Sequence, residues 1–259
     1  MAKYSAVNGV YRKVSKKYDP VDGVYRNVAK AFEPVDGVYR QYFSGGIPAG
    51  ELAVGDSVWL NVNGVLTEFI VVHQGNPDSA KYDASCDGTW LLMKNLYTTL
   101  RSWNGQGISY STSSIHAFLT DTIFPLFDTD IQSIIKQVKI PYNAMSGANG
   151  LSTKLFLLSA YEVGNYVSYS YNFVDGARLS YFRNCNVIAD AYDERIAYRN
   201  GTASEWWLRT PSDSSSIRYI TAAGKYSANS PSNMKGVRPA FILDSNTPIG
   251  QSGGINIIA

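Results

Sequence analysis

Two apolar segments, EWWLR at 205–209 and GVRPAFIL at 236–243, enclose a stretch that is almost wholly polar, TPSDSSSIRYITAAGKYSANSPSNMK at 210–235. Adjacent tryptophans in an extended chain point to opposite faces. Trp206 and Trp207 are therefore both covered only if their strand lies inside the domain, with packing on each side. The second apolar segment reads as the closing strand of the same frame. A polar insert held between two such strands belongs at the surface, as loops presented by a rigid support.

Upstream of this frame the periodicity is mixed. Gly55–Val72 (GDSVWLNVNGVLTEFIVV) reads as a β-hairpin turning at Asn63-Gly64, and Thr89–Lys94 as a third strand. Ser114 is placed to cap a helix carrying Ile115, Phe118 and Leu119 on one face and ended or kinked at Pro125. A second helix is expected from Asp128 or Thr129, because Ile131, Ile134, Ile135 and Val138 repeat at helical spacing as a core stripe. Lys154–Leu158 reads as a short strand, and Ser159-Ala160-Tyr161-Glu162 as a capping-box signature for one more short helix. The expected fold class is α+β, a mixed sheet with two or three helices spanning 48–244. Residues 245–259, Gly/Ser-rich with an apolar end, are set apart as a C-terminal tail that either packs onto a neighbour or trails. At 259 residues, 45% hydrophobic and 17% charged, the chain has ample material for a core, which excludes wholesale disorder.

The first 47 residues are different in kind. Gly-Val-Tyr-Arg occurs at Gly9–Arg12, Gly23–Arg26 and Gly37–Arg40, a strict period of 14. The unit V-x-G-V-Y-R-x-V-x-K-x-(Y/F)-x-P runs from Val7 to Pro20 and from Val21 to Pro34, with a truncated copy from Val35 to Tyr42. Val10, Arg12, Val14 and Lys16 alternate with Tyr11, Lys13 and Ser15 as in a strand. Asp22-Gly23 and Asp36-Gly37 are hairpin dipeptides, and Pro20 and Pro34 are expected to stop the strands ahead of them. Each unit is a strand pair too short to bury a core alone. Residues 1–47 hold 8 Lys/Arg against 4 Asp/Glu, whereas the rest of the chain is slightly acidic. Two readings stay open for this basic ribbon. One is a docking module that pairs with another chain by strand addition; the other is a solvated β-appendage with charged edges.

Nine of the 19 tyrosines fall between Tyr161 and Lys235: Tyr161, Tyr166, Tyr169, Tyr171, Tyr181, Tyr192, Tyr198, Tyr219 and Tyr226. Tyrosine among Ser, Asn and Gly gives large amphipathic contact area with adaptable hydrogen bonding, the composition of a binding surface. Catalytic templates are absent by contrast. Neither His73 nor His116 lies in a base motif, and no G-x-S-x-G, H-E-x-x-H or P-loop occurs. Asp190, Asp193 and Glu194 form an acidic cluster that in principle could serve as glycosidase carboxylates but reads more simply as a solvated loop. Two histidines and two distant cysteines leave little for a metal site; Cys86 and Cys185 could pair, though two buried thiols are the simpler reading. Net charge is +2, too small to indicate nucleic acid, and no apolar run reaches the length of a membrane span.

WWLR followed by Thr210-Pro211, then the polar stretch and GVRPAF, resembles an uncharacterised domain family of Gram-positive bacteria and their phages. GTWLLMKN at Gly88–Asn95, YSTSSIHAFL at Tyr110–Leu119 and KLFLLSAYEV at Lys154–Val163 fit the same pattern, so the resemblance spans about 50–244. That family is similar to the C-type lectin fold as elaborated in formylglycine-generating enzymes and in the variable proteins of diversity-generating retroelements. In the variable proteins, side chains just before the closing strand form the ligand-binding face. Carried over, that face comprises Ser212, Asp213, Ser214, Ser216, Arg218, Tyr219, Tyr226, Asn229, Ser232 and Asn233. The GVYR repeat resembles repeats at the N-termini of phage and prophage tail proteins.

The resemblance implies a phage or prophage tail receptor-binding protein located in the virion. Its partners would be a bacterial surface protein or glycan at the loop face and a tail or baseplate protein at residues 1–47. It would self-associate, with a trimer as the first guess. No leader-like apolar region opens the chain, which accords with that setting. Where formylglycine-generating enzymes place a catalytic Cys after the closing G-F-R, this chain has Pro239. The E-P-N, Q-P-D and W-N-D triplets of calcium-dependent lectins are missing, Trp103-Asn104-Gly105 being the nearest approach. No cofactor, no metal and no enzymatic activity is therefore expected. The alternatives are a host-encoded surface adhesin or lectin of the same fold and a glycan-active enzyme.

Overall fold

The computed structural model describes residues 46–105, 107–143, 145–164, 175–185, 190–252 and 255–258, and the backbone of six short strands between residues 4 and 44. Those six strands form three antiparallel hairpins: Tyr4–Val7 with Val10–Lys13, Tyr18–Val21 with Val24–Asn27, and Lys30–Val35 with Val38–Ser44. In each, two valines close the ladder, leaving only an Asn-Gly or Asp-Gly dipeptide between them. Pro20 and Pro34 do not stop their strands, contrary to the sequence expectation. Each is the penultimate strand residue, opposite Tyr25 and Tyr39. A two-residue turn makes the flanking valines a hydrogen-bonded pair, so the next pair outward is non-bonded. There the missing proline N–H points away from the partner and costs the ladder nothing. Val14, Ser15 and Lys16 of the expected alternation lie outside the described residues.

From residue 46 the chain builds a seven-stranded mixed sheet. Its order is Ala240–Leu243, Thr89–Met93, Val65–Gln74, Ser57–Val62, Ile255–Ile258, Pro248–Ser252 and Ile47–Pro48. All neighbours are antiparallel except Ser57–Val62 and Ile255–Ile258. The hairpin at its centre turns where its sequence requires. Asn63 (φ 52°) and Gly64 (φ 76°) both adopt the left-handed conformation that a type I′ turn needs and that Asn-Gly supplies at least cost. The segment 245–259, set apart as a tail on composition, instead supplies two strands of this sheet. Ile249 and Ile258 are buried, and Asn256–Ile258 pair with Val58–Leu60. Its apolar residues cover what would otherwise be an open edge of the Ser57–Val62 strand, which outweighs its Gly/Ser content.

The helices are fewer and shorter than the periodicity suggests. Ser113, not Ser114, is the first cap: its hydroxyl accepts from the His116 N–H at 3.2 Å. The helix Ser114–Ala117 continues as a π-helical stretch, Phe118–Ile123, and ends in a 3-10 turn, Phe124–Leu126, that holds Pro125. The second helix covers only Thr129–Ile134, and Val138 opens a strand, Val138–Ile140, paired with Leu151–Thr153. Ile131, Ile135 and Val138 are buried as a stripe demands. Helical continuation loses because Ile135 bridges to Leu243 and the Lys136 N–H donates to Ile242 O at 2.9 Å, so the closing strand captures the backbone. Of the expected Lys154–Leu158 strand only Phe156 is bridged, to Ala240, although Leu155–Leu158 are all fully buried.

The result is mostly sheet with a few short helices, an α+β arrangement. Trp90, Trp103, Trp206 and Trp207 are completely buried, and the core is continuous around them. Cys86 and Cys185 are free and buried; burial pushes their thiols up to about 12 and about 11, far from the reactive thiolate. Among the described residues no helix is long and apolar enough to cross a membrane.

Candidate functional site

The frame that carries the polar loops is a three-stranded antiparallel sheet of Trp206–Pro211, Ile217–Ile220 and Tyr226–Asn229. Every residue of the first strand is buried, and its charge is neutralised in place. Arg209 uses all five guanidinium N–H groups: Nε to Pro141 O (2.9 Å), Nη1 to Leu157 O (2.8 Å) and Glu162 Oε2 (2.7 Å), Nη2 to Glu162 Oε1 (2.6 Å) and Asp175 O (2.8 Å). The carboxylate is equally engaged, accepting from Tyr82 Oη at 2.8 Å and the Ser159 N–H at 2.7 Å. Such a bidentate, fully satisfied pair holds its geometry tightly.

Ser159 and Glu162 do make the reciprocal capping-box bonds, since the Glu162 N–H donates to Ser159 Oγ at 3.1 Å. The described residues that follow, 160–164, form a turn and not a helix, however. Glu162 is recruited to Arg209, and Gly164, at φ 94°, redirects the chain.

Next to this pair, Thr210 Oγ1 donates to Asp175 (3.0 and 2.8 Å to its two oxygens) and accepts from the Ala160 N–H at 2.8 Å. Burial pushes the Asp175 carboxyl up to about 7, against the pull of Arg209. The unfolded chain ionises this group near 3.8. Between about pH 4 and about pH 7 the folded state therefore keeps a proton that the unfolded state has lost, and stability falls as pH rises through that window. Asp175→Asn is expected to flatten this part of the curve, read as urea midpoints from about pH 4 to about pH 8. An unchanged slope would assign it to another group.

The sheet register decides which candidate residues share a surface. Pro211 and Asn229 both pair with Ile217, so the turns 212–216 and 230–233 leave the sheet at the same end. The first turn is closed by the Ser212 N–H on Ser216 O (2.8 Å). Asp213 Oδ1 accepts the Ser215 N–H at 2.8 Å, and that bond holds its carboxyl below the usual range. The second is closed by Asn233 Nδ2 on Asn229 Oδ1 (2.6 Å) and by a Ser230–Ser232 hydroxyl contact at 2.9 Å. Ser214, Ser232 and Asn233 are exposed, while Ser212, Asp213, Ser216 and Asn229 are half-buried. These seven form one end face.

The remaining three candidates do not join it on equal terms. Tyr219 is 8% exposed, edge-on to Trp207 (5.9 Å between ring centroids), with the Lys235 ammonium 3.7 Å above its ring. Tyr226 pairs with Ile220 at the far end of the sheet, donates its hydroxyl to Ala160 O and lies under the Arg195 guanidinium. Arg218 is half-buried and pairs with Ala228, so it shares a sheet face with Tyr226 and not with Tyr219. Both tyrosines serve the frame. Tyr166, Tyr169 and Tyr171 lie outside the described residues.

Asn104 is a residue that sequence reasoning passed over. The Trp103 and Asn104 N–H groups donate to Pro231 O at 2.8 and 3.0 Å, which brings the 103–105 loop against the second turn. The only signal in the sequence was the near miss to a calcium-lectin triplet. Of the acidic cluster, Asp190 and Asp193 are exposed, and Asp193 and Glu194 sit in a 3-10 turn, Asp193–Arg195. His73 is occupied by Ser180 (Nδ1 to Oγ, 2.9 Å) and His116 by Thr153 (Nε2 to Oγ1, 3.2 Å). Among the described residues no group of three or more His, Cys, Asp or Glu could hold a metal ion.

Fold and site together define a mostly-β α+β domain that displays two short polar turns, side by side, from a buried tryptophan–arginine frame. The chain belongs to the family DUF6273, a domain of unknown function, which matches residues 87–245. No curated protein and no solved structure matches it.

Proposed function

We propose that this chain is a receptor-binding protein of a phage or prophage tail, in which a C-type lectin-like domain presents the end face to a bacterial surface protein or glycan. The observation that carries the reading is the convergence of Ser212–Ser216 and Asn229–Asn233 at one end of a sheet whose strand is locked by Arg209. Small polar side chains on self-closed turns can vary without disturbing such a frame, which is what a recognition face in the manner of retroelement variable proteins requires. The three hairpins of residues 4–44 are each a two-stranded sheet with open edges, and isolated two-stranded hairpins are marginally stable. They suit docking onto a tail or baseplate protein and association into a trimer. The face works by binding, without catalysis or cofactor.

The test is binding of the labelled full chain to a panel of bacterial strains beside a triple variant, Ser214→Lys, Ser232→Lys and Asn233→Lys. Binding of some strains by the wild type and its loss by about tenfold or more in the variant are expected, with melting lowered by only a few degrees, since the two exposed side-chain bonds lost from the second turn contribute about 0.5–1.5 kcal/mol each. Equal binding by both proteins, or none by either, would sink the reading.

A further inference from the structure

A concave site lies at the opposite end of the three-stranded sheet from the loop face. It is a cleft of about 270 Å³ whose lining includes Leu100, Arg199, Glu205, Ala222, Met234 and Lys235. One wall is the hairpin of Tyr198–Arg199 and Thr202–Ala203, turned at Asn200 (φ 51°) and Gly201 (φ 78°). The others are the entry to the Trp206 strand, the turn after Ile220, and Met234–Lys235, which pairs with Arg101–Ser102.

The charges are unevenly spent. Lys235 is 4% exposed at its side chain, bonds Glu205 Oε2 at 2.6 Å and lies over the rings of Trp207 and Tyr219, so that ion pair is fixed and neutral. Arg199 is left as the net charge. Among the described residues its guanidinium makes one long bond, Nη1 to Thr98 O at 3.5 Å; its Nε also lacks a partner but is buried, so the Nη1 and Nη2 groups are the donors left for the cleft. Glu205 remains 44% exposed at its side chain, an acceptor facing solvent beside that cation. Met234, 58% exposed, adds an apolar surface with Leu100 and Ala222.

We propose that this cleft binds an acidic monosaccharide unit of the hexuronate class. A planar guanidinium with unspent donors matches one carboxylate. A carboxylate acceptor beside it matches vicinal hydroxyls, and the apolar wall matches the C–H face of a pyranose. The volume suits a single ring and falls short of the range typical of drug-sized ligands. A peptide C-terminus would be the other source of one carboxylate, but its capture relies on free backbone N–H groups. Here the N–H groups of Ser204, Gly224 and Gly236 are spent on Ala197, Thr221 and Glu205 carbonyls.

The experiment is titration of the full chain with glucuronate, glucose, acetate and a tripeptide with a free C-terminus, followed by ligand-observed NMR. Glucuronate is expected to bind about tenfold or more tightly than glucose or acetate, and Arg199→Ala to lose about tenfold or more while melting like the wild type. Comparison of free glucuronate with a glucuronate-terminated oligosaccharide then separates a soluble acid from a polymer end. Glucuronate binding no tighter than glucose, binding insensitive to Arg199→Ala, or preference for the tripeptide would overturn the assignment. The Ser214, Ser232 and Asn233 lysine variant is expected to keep glucuronate binding, so this site and the loop face fail independently.

Discussion

Arg209→Met is expected to destabilise the domain by about 3–5 kcal/mol, the cost of stranding one member of a buried ion pair. Removal of the guanidinium leaves the Glu162 carboxylate fully buried with only Tyr82 and the Ser159 N–H as donors, and strips the Pro141, Leu157 and Asp175 carbonyls of theirs. In a chain of this size the loss amounts to a fall in melting temperature on the order of 10 °C. The double variant Arg209→Met, Glu162→Leu is expected to recover part of it. The unpaired charge is then gone, and apolar groups of similar volume replace buried pairs at small cost. Thermal unfolding of the wild type, the single and the double variant decides the matter. A double variant less stable than Arg209→Met would mean that the pair contributes mainly through packing.

Trp206→Ala is expected to cost about as much, 3–5 kcal/mol for an aromatic-to-alanine change in a core, for a different reason. Trp206 is wholly buried, donates its indole N–H to Arg195 O at 2.9 Å and supports the buried Arg238 guanidinium 4.9 Å above its ring. Among the described residues Arg238 has no carboxylate partner; its Nε and Nη2 donate to Met93 O and Lys94 O. Desolvation already pulls it down to about 10. Loss of the ring therefore removes packing and a cation–π contact from a cation otherwise held by two backbone carbonyls. Trp206→Phe, which keeps a ring, is expected to lose less than half as much when the three proteins are compared by urea unfolding. Equal losses for Ala and Phe would show that the indole hydrogen bond dominates.

Both effects concern residues whose type was legible in the sequence while their partners were not. Adjacent tryptophans announce a strand covered on both faces, and Trp206 and Trp207 are buried accordingly. Asn63-Gly64 announces its own turn, because type I′ geometry is a local requirement of two residues. The capping box at Ser159–Glu162 was equally local, and its bonds form, but a guanidinium 47 residues further on claims the glutamate and residues 160–164 form a turn. The second helix is cut short by the same kind of long-range competition from the closing strand. At the face, composition alone could not separate contact tyrosines from structural ones. The alternation in Ile217–Ile220 could have: it sets Tyr219 on the side of Ile217 and Arg218 on the other, so the three were never going to act as one patch. The C-terminal strands escaped notice because short apolar stretches in Gly-rich sequence gain order only from the sheet edge that receives them.

The most direct test of the receptor-binding account is amide hydrogen exchange of the full chain with and without cell-wall fragments from a strain it binds. The account predicts new protection at 212–216, 230–233 and 103–105, with the Trp206–Pro211 strand already protected in both states. Protection confined to residues 1–44, or to the Arg199–Lys235 cleft, would contradict it and move the working surface elsewhere.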